Sequence, residues 1–262
     1  MTIIKLSFLS LIFGFTFGRD DIAHKPIVPL AHTGTPVKNI VLVHGAFVDG
    51  SGWQPTYDIL TAKGYHVTVT QQPLTSFDAD VTAVKRILDQ QDGPCILVGH
   101  SYGGAIITTA GTDPHVAGLV YVAAHAPDAG ESEAGNGKRY PPAYKSLIVG
   151  KDGFDYIDPK MFPTDFAGDL LKKRADFMAN AQMAAADVCF HAIISNPAWK
   201  TKPSWYMVAK SDRIINPDLE RMYARRAGSH SVEITGASHT VFESHPQDVA
   251  KLIIEAATNS MK

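Results

Sequence analysis

One continuous stretch of this sequence reads Cys95-Ile96-Leu97-Val98-Gly99-His100-Ser101-Tyr102-Gly103-Gly104-Ala105-Ile106-Ile107. Its apolar start predicts a buried strand, and its small and apolar end predicts a helix. Between them, the Gly-x-Ser-x-Gly pattern of residues 99–103 is typical of a sharp turn that lifts a serine hydroxyl clear of the sheet edge. Small residues flank such a serine because the backbone is strained and a neighbouring strand passes close by. The stretch therefore predicts that Ser101 is a nucleophile.

Short apolar runs alternate with helix-length segments on both sides of this turn. Ile40–Val43, Leu119–Val122 and Trp205–Val208 each predict a buried strand. Asn216-Pro217 predicts a helix start, because an N-cap residue followed by proline is typical of that position. The alternation predicts an α/β core, in which a mostly parallel central sheet is flanked by helices. With 262 residues the chain is long enough for one large domain of this kind.

One segment interrupts the alternation. About 80 residues separate the strand that ends near Ala123 from the strand that begins at Trp205, and a structureless loop of that length is implausible in a domain. Apolar residues recur at helical spacing over 170–194, so we predict an inserted, largely helical cap. The predicted boundaries are residues 38–126 for the first part of the core, 127–202 for the cap insertion and 203–262 for the second part of the core.

The N-terminus predicts a signal peptide. Lys5 precedes the apolar stretch 6–17, and small residues stand at positions −3 and −1 of a cut before Arg19. The apolar run is too short to span a bilayer comfortably. We therefore expect a signal peptide at 1–18, a polar lead-in at 19–37 and an exported protein, periplasmic or secreted, with no stable membrane association after signal removal. A buried N-terminal strand or an uncleaved anchor is the alternative.

Charge and cysteine content narrow the function classes. A formal charge of −2 with scattered Lys and Arg argues against a nucleic-acid partner, which requires a basic patch. Cys95 in an apolar strand and Cys189 in a predicted helix are interpreted as buried thiols, although export leaves a disulfide open. No cluster has the spacing of a zinc site, and we expect no metal.

A serine hydroxyl is a weak nucleophile at neutral pH, so it requires a base and a group that orients the base. In this architecture the order along the chain is serine, acid, histidine. Position favours His239 among the eleven histidines, because Gly236-Ala237-Ser238-His239 directly follows the last predicted strand. Asp212 follows the strand before it and is the favoured acid. Asp128, after the preceding strand, is the alternative because an acid can also reach the histidine from there.

Acyl transfer also needs backbone N–H groups that stabilise a negatively charged oxygen. One is expected from Tyr102, immediately after the nucleophile. The other is expected from Ala46 or Phe47, in the turn after His44-Gly45 at the end of the first central strand. A flexible glycine-rich loop is the alternative interpretation of that turn.

Five segments together resemble α/β-hydrolase-fold enzymes: His44-Gly45-Ala46-Phe47, Gly99-His100-Ser101-Tyr102-Gly103-Gly104, Ala126-Pro127-Asp128-Ala129-Gly130-Glu131-Ser132, Ser211-Asp212-Arg213 and Gly236-Ala237-Ser238-His239. The nearest group is the esterases related to plant methyl esterases and hydroxynitrile lyases. The resemblance covers Lys38 to Ala257 and implies a cofactor-free serine hydrolase acting on carboxylic esters, with Ser101, Asp212 and His239 as its triad. Two features depart from the group. Family enzymes of this size usually lack an export signal, and the lyases have lysine where this chain has Thr240.

We therefore expect a carboxylesterase whose partner is a small-molecule ester, present as a monomer or homodimer. The cap is rich in aromatic and apolar side chains, which predicts a small, largely apolar substrate. His125 and His191 lie in or near the cap and could line the pocket. Two alternatives stay open. One is a cofactor-free lyase or perhydrolase on the same triad, and the other is a non-catalytic ligand-binding protein that keeps the fold.

Overall fold

A parallel sheet organises residues 36–260, the part of the chain that this computed structural model describes. The predicted signal peptide lies outside the described residues and stays a prediction. The strands of the described part are β1 (Asn39–Val43), β2 (His66–Val69), β3 (Cys95–Ser101), β4 (Val116–Ala124), β5 (Leu147–Val149), β6 (Phe154–Ile157), β7 (Ala185–Ala186), β8 (Ser204–Ala209) and β9 (His230–Ile234). Six of them form the main sheet in the order β2-β1-β3-β4-β8-β9, and every neighbouring pair is parallel.

Helices cover both faces of this sheet. Those of the described part are α1 (Gln54–Ala62), α2 (Phe77–Leu88), α3 (Tyr102–Ala110), α4 (Glu133–Arg139), α5 (Phe162–Asp165), α6 (Lys172–Ala181), α7 (Pro217–Arg226), α8 (Val241–Ser244) and α9 (Pro246–Asn259). Short 3₁₀ turns span Gly50–Trp53, Asp187–His191 and Ala198–Lys200. Asn216 caps α7 as predicted, since its side chain accepts a hydrogen bond from the N–H of Asp218.

The core has two layers because successive side chains of a strand point to opposite faces of the sheet. Along β1, Val41 and Val43 pack with residues of α2, α3 and α7. Ile40 and Leu42 pack on the other face with residues of α1 and α9. Every residue of β1 and β3 is buried, which is why these strands read as continuous apolar runs. The predicted α/β-hydrolase fold with a mostly parallel sheet is confirmed.

The insertion is more mixed than its sequence pattern indicates. Helices α4, α5 and α6 are accompanied by a three-stranded antiparallel sheet in the order β5-β6-β7. The helix predicted over 170–194 occupies only Lys172–Ala181. Beyond it, the side chain of Gln182 accepts from the N–H of Ile157 at 2.9 Å and donates to its carbonyl at 2.8 Å. This pairing connects the residue after α6 to β6 of the small sheet.

Cys95 and Cys189 are both buried and free, as predicted. Among residues 36–260, no helix combines the length and the apolar character needed to cross a membrane.

Candidate active site

The structure places Ser101 on a strained turn between β3 and α3. Its φ is 55° and its ψ is −125°, a backbone conformation that costs a non-glycine residue on the order of 1–3 kcal/mol. Close packing holds the turn in place. A methyl group on Gly103 would come within 2.6 Å of the main-chain oxygen of His44, and one on Gly99 within 2.6 Å of the oxygen of Gly103. Only glycine fits at either position, which explains the Gly-x-Ser-x-Gly pattern.

Ser101, His239 and Asp212 are brought together at the carboxyl ends of β3, β8 and β9. The Nε2 atom of His239 lies 2.8 Å from the Oγ atom of Ser101, and its Nδ1 atom lies 2.6 Å from Oδ2 of Asp212. A carboxylate can only accept, so Nδ1 carries the proton and Nε2 is free to accept the serine proton. His239 is fully buried and Ser101 is 5% exposed. The arrangement can deprotonate a serine while it attacks a carbonyl carbon.

Asp212 is fixed by the turn that follows β8. Its Oδ1 atom accepts hydrogen bonds from the N–H groups of Ile214 at 2.7 Å and Ile215 at 2.9 Å. Its other oxygen is thereby directed at the imidazole. The alternative acid, Asp128, instead forms an ion pair with Lys200 and accepts from the N–H of Ala129. The structure therefore places Asp212, not Asp128, against His239.

A second carboxyl group, Glu220, lies behind Asp212. Glu220 is fully buried, and its Oε2 atom accepts from the N–H of Ala209 at 3.1 Å. Burial first, and then the charge of Asp212, raise the pKa of Glu220 well above its usual range. Its Oε1 atom is buried and has no hydrogen-bond partner in the described part of the chain. Sequence reasoning missed this residue because it reads as an ordinary acid in the first turn of α7.

The loop that carries His239 is held from two sides. Ser211 donates its N–H to the carbonyl of Ala237 at 2.9 Å, which ties this loop to the one after β8. The hydroxyl of Ser238 donates to Asp169 of the insertion. Nothing in the local sequence marked Asp169, because the contact joins segments that are far apart in the chain. The base is thus positioned partly by the insertion.

His100, the residue before the nucleophile, packs against the base His239. Its Nε2 atom lies 2.8 Å from the main-chain oxygen of His239, and the two ring centroids are 4.6 Å apart. Burial, with the neighbouring His239, lowers the pKa of His100 well below its usual range. His100 is therefore neutral, and its Nε2–H donates to that oxygen.

The oxyanion donors are predicted to be main-chain N–H groups of Tyr102, Ala46 and Phe47. Tyr102 is the first residue of α3, so its N–H has no acceptor within the helix. Ala46 and Phe47 line the same cavity as Ser101, and Phe47 has a φ of 65°. Gln72 holds the turn that precedes them, since its side chain donates to the main-chain oxygen of His44 at 2.9 Å. The roles of these three N–H groups as oxyanion donors stay a prediction.

A cavity of about 190 Å³ opens above Ser101, between the core and the insertion. Phe47, Phe190, Tyr140 and Tyr144 supply its aromatic walls. His125 and His191 also line it, as the sequence predicted. Within residues 36–260, no three His, Cys, Asp or Glu side chains are grouped as a metal site would require.

This protein is similar to known proteins in its sequence and in its fold. Residues 40–252 match the alpha/beta hydrolase family, and the chain belongs to that family. Putative methylesterase 14, chloroplastic, of Arabidopsis thaliana is 26% identical over 252 residues, which cover 84% of this chain and 72% of that protein. A carbendazim hydrolyzing esterase of Nocardioides sp. (strain SG-4G) is 34% identical over 128 residues, 43% of this chain and 52% of that protein. The predicted resemblance to esterases of the plant methyl esterase group is confirmed.

Solved structures share the fold. A pyrethroid hydrolase from Sphingobium faniae JZ-2 superposes with a TM-score of 0.71 at 23% identity, covering 85% of this chain and 98% of that one. At this identity the likeness concerns the fold alone.

Proposed function

We propose that this member of the alpha/beta hydrolase family is a serine carboxylesterase that cleaves small, largely apolar esters through an acyl-enzyme intermediate. The observation that carries the proposal is the unbroken chain of contacts from Ser101 Oγ to His239 Nε2 at 2.8 Å and from His239 Nδ1 to Asp212 Oδ2 at 2.6 Å. Ser101, the first residue in this series of contacts, lines the cavity of about 190 Å³ in which the ester would bind. The esterase names of its relatives support the same class of reaction.

In the first half-reaction, the Oγ atom of Ser101 forms a bond to the ester carbonyl carbon while its proton passes to Nε2 of His239. The carbonyl oxygen takes up the electron pair of the broken π bond, and the N–H groups of Tyr102 and of Ala46 or Phe47 stabilise its charge. As the C–O bond breaks, the alcohol leaves with the proton from His239. The serine is then acylated.

In the second half-reaction, a water molecule attacks the acyl carbon and gives its proton to His239. The tetrahedral intermediate collapses, the bond to Ser101 breaks, and the serine oxygen recovers the proton. Asp212 holds the imidazole in the reactive tautomer and stabilises the imidazolium in both halves. The raised pKa of Glu220 limits the repulsion between its carboxyl group and the charge of Asp212.

The lyase alternative gains no support from the residue that follows the base. Thr240 stands where the lyases have lysine, and its hydroxyl contacts Ser238 at 3.0 Å and Asp169 at 3.2 Å. Thr240 is fully buried. A hydroxyl engaged in this way offers no cation for a cyanide leaving group.

The variant Ser101→Ala tests the proposal. We expect it to reduce hydrolysis of p-nitrophenyl acetate and butyrate to the background rate and to abolish labelling by a fluorophosphonate probe. Thermal unfolding should stay close to that of the wild type. Ser231→Ala, which changes an exposed serine of β9, is the matched control and should keep full activity. Wild-type turnover by Ser101→Ala would sink the proposal.

A further inference from the structure

The charges that line the active-site cavity have one sign. Three carboxylates contribute to its wall, from Glu133, Asp155 and Asp187. Among the described residues that line it there is no Lys and no Arg. The other lining side chains are apolar, aromatic, hydroxyl, amide or imidazole groups. A cavity of this kind attracts a positive group, because low-dielectric walls strengthen the field of the charges they carry.

Asp155 is the most unusual of the three. It lies on β6 of the insertion, on the same face as the buried Ile157. Its relative exposure is 1%, and its Oδ1 atom has no hydrogen-bond partner in the described part of the chain. A buried carboxylate without a partner costs several kcal/mol of stability. The main-chain N–H of Gly150 favours the charged form of Asp155, so the Oδ1 atom is the part of this carboxylate that is left without a donor.

The surroundings of Asp155 supply no cation that would pair with it. Burial, followed by the negative charge of Asp187, raises its pKa above the usual range. The charge of His191 would lower the pKa of Asp155, but His191 is exposed and its Nε2 atom lies 3.3 Å from Oδ1 of Asp187. Glu133 repeats the pattern on the cavity wall, since its Oε1 atom contacts His125 at 3.0 Å while its Oε2 atom is buried without a partner.

We propose that Asp155 binds an ammonium group of the substrate, so that the preferred ester is apolar along its length and cationic at the end remote from the reacting carbonyl. The inference rests on the proposed esterase function and narrows its substrate class. Ser101 and Asp155 line the same cavity, so one molecule can contact both. The aromatic side chains that line this cavity suit an alkyl or aryl body, and they also attract cations.

Two series of methyl esters test the inference. Methyl ω-aminoalkanoates of four to eight carbons carry an ammonium group, and methyl alkanoates of matching length end in a methyl group of similar size. Hydrolysis is followed at pH 8 as kcat/KM from acid release. At the chain length that spans the cavity, we expect the wild type to prefer the amino ester. Asp155→Asn should reduce this preference at least tenfold while it changes hydrolysis of the alkanoates less than twofold.

Asp152→Asn is the matched control. Asp152 is an exposed carboxylate in the same hairpin, so its substitution changes the net charge equally and should leave the preference unchanged. An unchanged preference in Asp155→Asn at every length would overturn the inference. So would an equal loss of both ester series, which would mark Asp155 as structural. If the wild type hydrolysed neither series, the proposed function would fall, and this inference with it.

A measurement on the wild type alone covers the case in which Asp155→Asn does not fold. Hexylammonium and 1-hexanol have similar apolar bodies, and both can enter the cavity as competitive inhibitors of p-nitrophenyl butyrate hydrolysis. We expect hexylammonium to inhibit at least tenfold more strongly. Equal inhibition by the two compounds would contradict a cation site in the cavity.

Discussion

Replacing Asp212 by asparagine should disable the base without disturbing the loop that holds it. In the wild type, Oδ1 of Asp212 accepts from the N–H groups of Ile214 and Ile215, and Oδ2 accepts from Nδ1 of His239. An asparagine must direct its oxygen to the two main-chain donors. The opposite orientation would place an NH₂ group against them, and each unsatisfied buried N–H costs about 1–3 kcal/mol.

This orientation of the asparagine determines which nitrogen of His239 carries the proton. With its NH₂ group facing the imidazole, Asn donates to Nδ1, so the proton of neutral His239 moves to Nε2. A protonated Nε2 donates to Ser101 and can no longer accept its proton. Loss of the reactive tautomer in a serine triad lowers kcat on the order of 10⁴-fold, which corresponds to about 5.5 kcal/mol of transition-state stabilisation at roughly 1.36 kcal/mol per factor of ten.

The assay is steady-state hydrolysis of p-nitrophenyl butyrate by Asp212→Asn, with thermal unfolding measured on the same preparation. Asp128→Asn is the matched control, because Asp128 is the acid that the sequence offers as an alternative and its partner is Lys200. We expect the control to retain kcat within twofold. A kcat for Asp212→Asn within tenfold of the wild type would refute the tautomer argument. An equal loss in Asp128→Asn would refute the assignment of the acid.

Two further predictions concern groups around the site. Glu220→Gln keeps an acceptor for the N–H of Ala209 and adds no charge beside Asp212, so it should retain kcat. Glu220→Leu leaves that buried N–H without an acceptor, so it should lower kcat and destabilise the fold by about 1–3 kcal/mol. Equal losses in thermal unfolding and kcat for both variants would contradict a neutral Glu220. Burial raises the pKa of Glu131, but hydrogen bonds from Arg226 outweigh it and lower the pKa from 4.5 to about 2. The ion pair therefore stabilises the fold above pH 4.5 and loses its effect as pH falls toward 2, so urea unfolding of wild type and Glu131→Gln should converge over that range; a constant difference would contradict it.

The nucleophile, the base and the acid could be predicted because each belongs to a local pattern. Ser101 follows an apolar run and precedes small residues, and both signals lie within a dozen positions. Asp212 and His239 follow the last two strands of a parallel sheet, and the carboxyl ends of parallel strands meet at one edge. The order of these three residues along the chain was therefore enough to predict that they lie close together.

The supporting residues could not be predicted in this way. Glu220 accepts from the N–H of Ala209 only because α7 packs on β8, and Asp169 reaches Ser238 across 69 positions of sequence. His100 is directed to His239 by the same turn that exposes Ser101. In each case the partner is set by tertiary packing, and the residue alone resembles an ordinary turn or helix residue.

The catalytic residues and the groups proposed to select the substrate lie in different parts of the molecule. Ser101, Asp212 and His239 lie at the strand ends of the parallel sheet, and Asp169 of the insertion helps to hold the loop of His239. The groups proposed to select the substrate lie on the insertion, whose small sheet depends on side-chain pairing such as that of Gln182 with Ile157. Because the two sets occupy different elements, their effects should separate. Substitution of Asp212 should lower turnover of every ester alike, whereas substitution of Asp155 should change only the ratio between cationic and neutral esters.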